Sequence, residues 1–372
     1  MSGQQEAVAV ALAHFARAGY LRAETSILQP ADLFIDLSGE DMRGRMFVTQ
    51  DGEGRDWCLR PEFTIPLARD CLGAGLPLPA AFSYGGPVFR LRAGESGEFD
   101  QTGLESFGRT DFAAADAEVF ALTLEVLAAL GVAAPALRMG DVGLLSRLLD
   151  ALCVPAASRR RLMRAVAQGK GADAVLAMAP PESAGANDHA GLLAALEGQD
   201  PKAAKAFVED VLSIAGISSV GGRSARDIAE RFLARAAERE NVPGDEVAQV
   251  LRRVLAISGD PDTAAAELRD VCLAAGLDLS EELDAFEQRT GFLAARGVDV
   301  TAIRFATAFA RNLDYYTGFI FEMHDPDSKA VKPLAGGGRY DGLLQRLGAK
   351  APVPAVGASI WLDRVTTAGA RP

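Results

Sequence analysis

The chain has 372 residues, 49% of them hydrophobic, enough for two domains or for one large domain carrying an insertion. Asp and Glu number 50 against 38 Lys and Arg, and the resulting net charge of −12 argues against holding a long polyanion such as a nucleic acid, because phosphate recognition uses clustered cations. The four widely spaced cysteines form no CxxC pair, and the sequence shows neither a signal peptide nor an apolar run of about 18 residues, so the expectation is a cytoplasmic protein with reduced thiols, no metal, no cofactor and no membrane partner.

Residues 4–18 carry Val8, Ala11, Leu12 and Phe15 at helical spacing and close at Gly19-Tyr20, which predicts an opening amphipathic helix. Residues 45–50 and 56–60 alternate around Gly52 and Gly54 and predict a hairpin. Ala81–Leu91 and Glu98–Gly108 read as longer strands joined by a Gly/Ser turn at 94–97. A helix over Ala113–Leu130 follows, with Asp111 as its N-cap, then a short strand at 137–141.

From about 144 to 298 the character changes. Ala, Leu, Arg and Glu dominate, with helical periodicity in 156–169, 201–215, 223–240, 245–257, 261–275 and 279–296. The breakers between these segments include Pro180-Pro181, Gly216, Gly221-Gly222, Pro243-Gly244 and Gly259-Asp260-Pro261. Strand character returns at 302–309, 317–324 and 353–362. The expected fold class is α+β, with a mostly antiparallel sheet flanked by helices; residues 1–143 and 299–372 form its core and 144–298 a helical insertion.

Four segments carry chemistry. In Arg60-Pro61-Glu62-Phe63-Thr64, a carboxylate and a hydroxyl at a strand end could hold an ammonium; the alternative is a surface turn in which Thr64 caps the helix that follows. In residues 98–108, period two puts Phe99, Gln101, Gly103, Glu105 and Phe107 on one face. A buried amide and carboxylate need partners, which a polar ligand would supply; a register that turns this face to solvent is the alternative. The run from Arg311 to Gly318 holds Asp314, Tyr315 and Tyr316 just before a strand, where tyrosines can line a pocket or merely pack. Gly336-Gly337-Gly338-Arg339-Tyr340-Asp341-Gly342 permits close backbone approach to a ligand or forms a Gly-rich hairpin; no GxxxxGK[ST] accompanies it.

Together and in this order, the segments resemble the class II aminoacyl-tRNA synthetase core of histidyl type. Leu28–Phe34, Tyr84–Arg90 and Ala355–Arg364 resemble the regions of its three signature motifs, the first being the usual dimer interface. The resemblance implies that Glu62, Thr64 and Gln101 hold the α-ammonium of histidine. It also implies that Glu105 and Tyr316 face the imidazole, with Tyr315 nearby. Arg90, Arg311 and Arg364 match arginines of the family's adenylation site. The departures lie on the ATP side. Arg92 replaces an acidic residue, the loop Ala93–Gly97 has no arginine, Trp361 stands where the family has a small glycine, and no counterpart of an anticodon-binding domain is expected after the third motif.

A histidine pocket without the means of activation resembles the regulatory subunit of ATP phosphoribosyltransferase. That resemblance implies a chain that is not itself an enzyme and has no catalytic residues. It implies a short-form catalytic subunit as partner, activation of that partner, and histidine as feedback effector in the first step of histidine biosynthesis. Assembly as dimers within a hetero-octamer is implied too. A truncated adenylating enzyme related to histidyl-tRNA synthetase is the alternative, and Arg311 is the residue that most favours it.

Overall fold

The computed structural model describes residues 3–170, 219–220, 223–224, 245–311, 315–327 and 332–369. Asp314, the expected helices at 201–215 and almost all of 223–240, and the breakers at 180–181, 216, 221–222 and 243–244 lie outside the described residues.

In chain order, α1 (Gly3–Arg17) is followed by β1 (Leu21–Arg22), β2 (Leu28–Pro30), α2 (Ala31–Arg43), β3 (Val48–Gln50), β4 (Asp56–Leu59) and α3 (Thr64–Gly73). The long strands β5 (Ala80–Phe89) and β6 (Glu98–Phe107) lead into α4 (Phe112–Ala129), β7 (Ala136–Asp141), α5 (Val142–Ala151) and α6 (Ala156–Ala167). A two-residue ladder, β8 (Ser219–Val220) with β9 (Arg223–Ser224), precedes α7 (Asp245–Ala256), β10 (Ser258–Gly259), α8 (Pro261–Ala274) and α9 (Ser280–Ala295). The chain closes with β11 (Ile303–Ala306), β12 (Phe319–His324), β13 (Ala335–Arg339), α10 (Leu343–Arg346), β14 (Ala355–Trp361) and α11 (Leu362–Gly369).

Nine strands form the central sheet in the order β1-β5-β6-β14-β13-β12-β7-β11-β10. Every neighbouring pair is antiparallel except β1–β5 and β7–β11. The α+β class and the mostly antiparallel sheet are therefore as the sequence predicts. A separate sheet, β2-β4-β3, holds the expected hairpin, whose turn uses the left-handed φ of +79° at Gly54.

Period-two alternation divides the sheet into two faces. Leu104 of β6, Phe319, Phe321 and Met323 of β12, and Val356, Ala358 and Ile360 of β14 enter the larger core, beneath α1, α4, α5 and α9. Phe120 of α4 packs there against Phe319 and Phe321, at centroid distances of 6.3 and 4.8 Å; burying such a ring contributes about 1.5–3 kcal/mol. Phe99, Phe107, Ala355 and Trp361 point the other way, into a second core with Phe34, Phe63, Ile65 and Tyr84. The functional site lies on this second face.

Two local expectations change. Asp111 does precede α4, but its carboxylate accepts from Arg109 at 3.0 and 2.6 Å and makes no cap bond. Residues 336–338 are neither a phosphate cradle nor a hairpin tip. They are the middle of β13, at the centre of the sheet between β12 and β14. Where described, the helical block shares the larger core: α9 supplies Phe286 and Leu293, α8 supplies Leu268, and β10 extends the central sheet through β11.

A buried ionic cluster joins this block to the sheet. Asp116 of α4 accepts from Arg339 at 2.9 and 2.6 Å and from Arg289 of α9 at 3.4 Å. Arg289 also donates to Asp141 at 2.8 Å, and Asp141 caps α5 through the Leu144 amide at 3.0 Å.

Candidate functional site

The site exists because one face of the central strands is built from very small side chains. In register across the sheet, Gly103 of β6 lies beside Ser359 of β14, Ser359 beside Gly336 of β13, and Gly336 beside Glu322 of β12. A cavity of about 320 Å³ opens above this row. A Cβ on Gly336 would sit 2.8 Å from a guanidinium nitrogen of Arg311. The glycine run thus lets the Arg311 side chain lie directly on the strand.

Six of the seven residues singled out from the sequence line this cavity: Glu62, Thr64, Gln101, Arg311, Tyr315 and Tyr316. The seventh, Glu105, stands behind the wall and reaches the cavity only through other side chains.

Glu62 precedes α3, and both its oxygens accept backbone N–H groups of the first turn, from Thr64 at 2.8 Å and Ile65 at 2.9 Å. The expected surface turn with Thr64 as the cap is not what forms: the segment is buried, Glu62 takes the first-turn amides in place of Thr64, and its further lone pairs leave it able to face a ligand. Burial pushes the Glu62 carboxyl upward, opposed by these two amides and by the nearby Arg90 charge.

Thr64 donates its hydroxyl to Glu105 at 2.6 Å. Tyr340 donates to the other Glu105 oxygen, and Tyr84 to the first at 3.4 Å. Burial dominates the Glu105 carboxyl and pushes it up to about 8 despite these donors. Among the described residues no cation pairs with it.

Gln101 is fully buried, and neither its amide nitrogen nor its carbonyl oxygen has a partner. Two unmet hydrogen-bonding atoms in a cavity wall cost on the order of 1–3 kcal/mol each, which a polar ligand would offset. The face assigned to Gln101 and Glu105 from period two is thus turned inward, onto the cavity and the second core.

Arg311 donates through Nε to Glu322 at 3.2 Å and through a terminal nitrogen to the Tyr316 hydroxyl at 2.5 Å. Its guanidinium also lies 5.9 Å from the Trp361 ring centre. It therefore fixes Tyr316, and Tyr316 packs with Tyr315 and Tyr340 at centroid distances of 4.9 and 6.4 Å. Glu322 continues outward to His324, at 3.1 Å.

Arg90 and Arg364 line the other side of the cavity. Each is held by a backbone carbonyl, Arg90 by that of Pro61 and Arg364 by that of Pro333, both at 2.6 Å. Burial lowers Arg90 to about 10. Trp361 also lines the cavity, under the Arg364 guanidinium at 4.8 Å, and its indole N–H has no partner. Arg92 donates to Asp363 at 2.8 Å and to the Ser96 carbonyl at 2.9 and 2.7 Å, so the short 93–97 loop is tied to α11.

Sequence reasoning passed over Tyr84, Glu322 and Ser359, and did not see Tyr340 as the direct partner of Glu105. Period two from Trp361 would have placed Ser359 and Gly357 on the same face. Among the described residues no group of three or more His, Cys, Asp or Glu side chains is arranged to hold a metal ion, and no helix is long and apolar enough to cross a membrane.

A sheet of this topology, with a cavity built from these motif residues, defines a class II synthetase-like protein of histidyl type. The family model described as histidyl-tRNA synthetase matches residues 2–217 and 207–365. The fold is that of a solved Bacillus halodurans protein described as an ATP phosphoribosyltransferase regulatory subunit/histidyl-tRNA synthetase, with a TM-score of 0.69, 20% identity, and coverage of 98% of this chain and 78% of that one. A histidyl-tRNA synthetase from Nostoc shares it too, at a TM-score of 0.65 and 18% identity over 98% of this chain and 70% of that one. Curated relatives are more specific. The chain is 40% identical to the ATP phosphoribosyltransferase regulatory subunit of Mesorhizobium japonicum, over 92% of this chain and 91% of the relative. It is 38% identical to that of Sinorhizobium medicae, over 97% and 96%. The chain belongs to the family of ATP phosphoribosyltransferase regulatory subunits.

Proposed function

We propose that this chain acts as the non-catalytic partner of a short-form ATP phosphoribosyltransferase subunit, activates it, and carries feedback inhibition by histidine in the first step of histidine biosynthesis. Family membership supports the regulatory role. The observation that carries the histidine reading is the buried, wholly unpartnered Gln101 amide beside Glu62 and Thr64 in a cavity ringed by Tyr315, Tyr316 and Tyr340. Glu62, Thr64 and Gln101 are the groups for the ammonium, and Tyr316, held by Arg311, is the one for the imidazole. No cofactor or metal enters this reading, and the site is the cytoplasm.

Dimers within a hetero-octamer are part of the proposal. Support comes from apolar side chains exposed on and beside the small sheet, Ile27, Leu28, Phe47 and Val48, which would be covered by a second copy. Mixing the chain with a short catalytic subunit, and measuring product with and without histidine, tests the whole reading. The expected result is activation that histidine reverses. A chain that neither alters the partner's rate nor binds histidine would overturn it.

The second reading, an adenylating enzyme, is favoured by Arg90, Arg311 and Arg364 all lining the same cavity. Histidine-dependent exchange of pyrophosphate into ATP by the isolated chain would establish it in place of the first.

A further inference from the structure

The chain carries a net charge of −12, yet residues 151–170 hold Arg159, Arg160, Arg161, Arg164 and Lys170 and no Asp or Glu. The four arginines all lie on α6. Leu162, Ala165 and Val166 seat that helix in the larger core, while Arg160 and Arg164, four residues apart, are exposed. Arg159 pairs with Asp150 of α5, and Arg161 donates to the Ser158 hydroxyl at 3.0 Å. Among the described residues no carboxylate pairs with Arg160 or Arg164. Like charges at this spacing oppose a helix by about 0.2–0.5 kcal/mol, so the stability of α6 gives no reason for them.

The central sheet adds to this surface. Arg138 of β7 and Arg304 of β11 are neighbours in register, and both are exposed. Arg138 also pairs in register with Glu322, which lines the cavity, so the two arginines continue the cavity's own row of the sheet. The Arg138 guanidinium lies 5.0 Å from the ring centre of Phe309. Phe309 forms a small apolar cluster with Val142 and Ile320, and Met163 of α6 packs against that cluster. One cluster thus joins α6 to the sheet arginines. Tyr316 of the cavity packs against it as well.

We propose that Arg160 and Arg164 of α6, with Arg138 and Arg304, form the surface that docks an acidic face of the catalytic subunit. This rests on the reading of the chain as that subunit's partner and names the surface it uses. The cations are arginines, whose planar forks take carboxylates in pairs of hydrogen bonds. Arginine is enriched at protein interfaces, where lysine is depleted. The acidic remainder of the chain repels a long polyanion but not a folded partner that offers a few carboxylates. A second copy has its place at the small sheet, where the exposed side chains are apolar. The shared cluster supplies the last argument. A ligand held at Tyr316 touches the packing beneath the docking surface, a contact that regulation of one chain by the other requires.

The test measures the dissociation constant of the full chain with a short catalytic subunit, by sedimentation, at about 50 and 300 mM salt. The parent complex should weaken about tenfold as salt rises. Arg160→Glu with Arg164→Glu should bind about a hundredfold more weakly than the parent at low salt and lose most of the salt dependence. Its unfolding midpoint and its affinity for histidine should match the parent's, because both side chains are exposed. Arg160→Lys with Arg164→Lys keeps the charge and should stay within about fivefold of the parent. Arg138→Glu with Arg304→Glu should weaken the complex about tenfold. Equal affinity of the parent and the α6 reversal would overturn the proposal and leave the partner reading standing. Failure of the parent to associate at either salt would overturn the partner reading, and this surface with it. A reversal that instead lowers the sedimenting mass of the chain alone would assign the surface to a second copy. A reversal that abolishes tRNA binding without touching the catalytic subunit would assign it to nucleic acid. Either result would overturn the proposal.

Discussion

Gly357 is the position where one added methyl should do the most damage to the site. It pairs in register with Glu105 across β14 and β6. A Cβ there would collide with the nearer Glu105 oxygen, and would lie 2.5 Å from the carboxyl carbon and 2.7 Å from the Leu104 backbone oxygen. The carboxyl must therefore move, and its bonds to Thr64, Tyr84 and Tyr340 cannot all survive the move. Overpacking of this kind costs about 1–3 kcal/mol, and each orphaned partner of a buried group adds about 1–3 kcal/mol. Gly357→Ala should therefore lose about 3–5 kcal/mol, measured as the shift in urea-unfolding midpoint. The cause is separable by a double-mutant cycle. Combining Gly357→Ala with Glu105→Ala removes the displaced group, so the pair should cost at least about 1 kcal/mol less than the two single changes together. The Leu104 contact remains, so the rescue is partial. Additivity to within about 0.5 kcal/mol would refute the argument that the carboxyl is what Gly357 accommodates.

Three further outcomes are expected. Between about pH 4.5 and 8 the folded chain keeps a proton on Glu105 that the unfolded chain has lost, so this group makes stability fall as pH rises across that window, by at most about 5 kcal/mol; Glu105→Gln should flatten that slope in urea unfolding at a series of pH values, and an unchanged slope would exclude Glu105 as its source. Asp116→Asn withdraws the charge that Arg339 and Arg289 share in the interior and should cost about 3–5 kcal/mol in thermal or urea unfolding; a change below about 1 kcal/mol would mean that the cluster is solvated. Arg311→Lys removes the fork that reaches Glu322 and Tyr316 together, so histidine binding measured by calorimetry should weaken about tenfold while the unfolding midpoint moves little; undiminished binding would separate Tyr316 from the ligand.

What could be read from the sequence was whatever has a short period. Alternation placed Gln101 and Glu105 with Phe99 and Phe107, and the strand does turn those four to one side and Leu104 to the other. The order of motifs told which distant segments would meet. Less legible was anything that depends on what lies across a strand. Three glycines in a row signal a turn locally; here they form a central strand because Arg311 lies over Gly336 and the Gly357 carbonyl crowds Gly337. The pairing of Asp116 with Arg339 spans 223 residues and has no local sign. Helical periodicity over 245–298 gives the length of each helix but not the body it packs against, and that packing proved to be the sheet's own core through Leu268 and Phe286.

The same cavity also bears on why Arg311 and its fellow arginines persist in a chain proposed to have no reaction of its own. An arginine that stabilises transferred phosphate must present free N–H groups at the point where charge develops. Here Arg92 is held by Asp363 and the Ser96 carbonyl, Arg90 through its Nε by the Pro61 carbonyl, and Arg311 through Nε and one terminal nitrogen by Glu322 and Tyr316. Arg364 keeps an unpartnered Nε, but its terminal nitrogen holds the Pro333 carbonyl and its plane covers Trp361. Each of these groups has a structural duty that ends with the pocket correctly shaped: Arg311 aims Tyr316, Arg90 offsets the buried Glu62, and Arg92 ties the 93–97 loop to α11. We propose that these duties in shaping the pocket account for their retention.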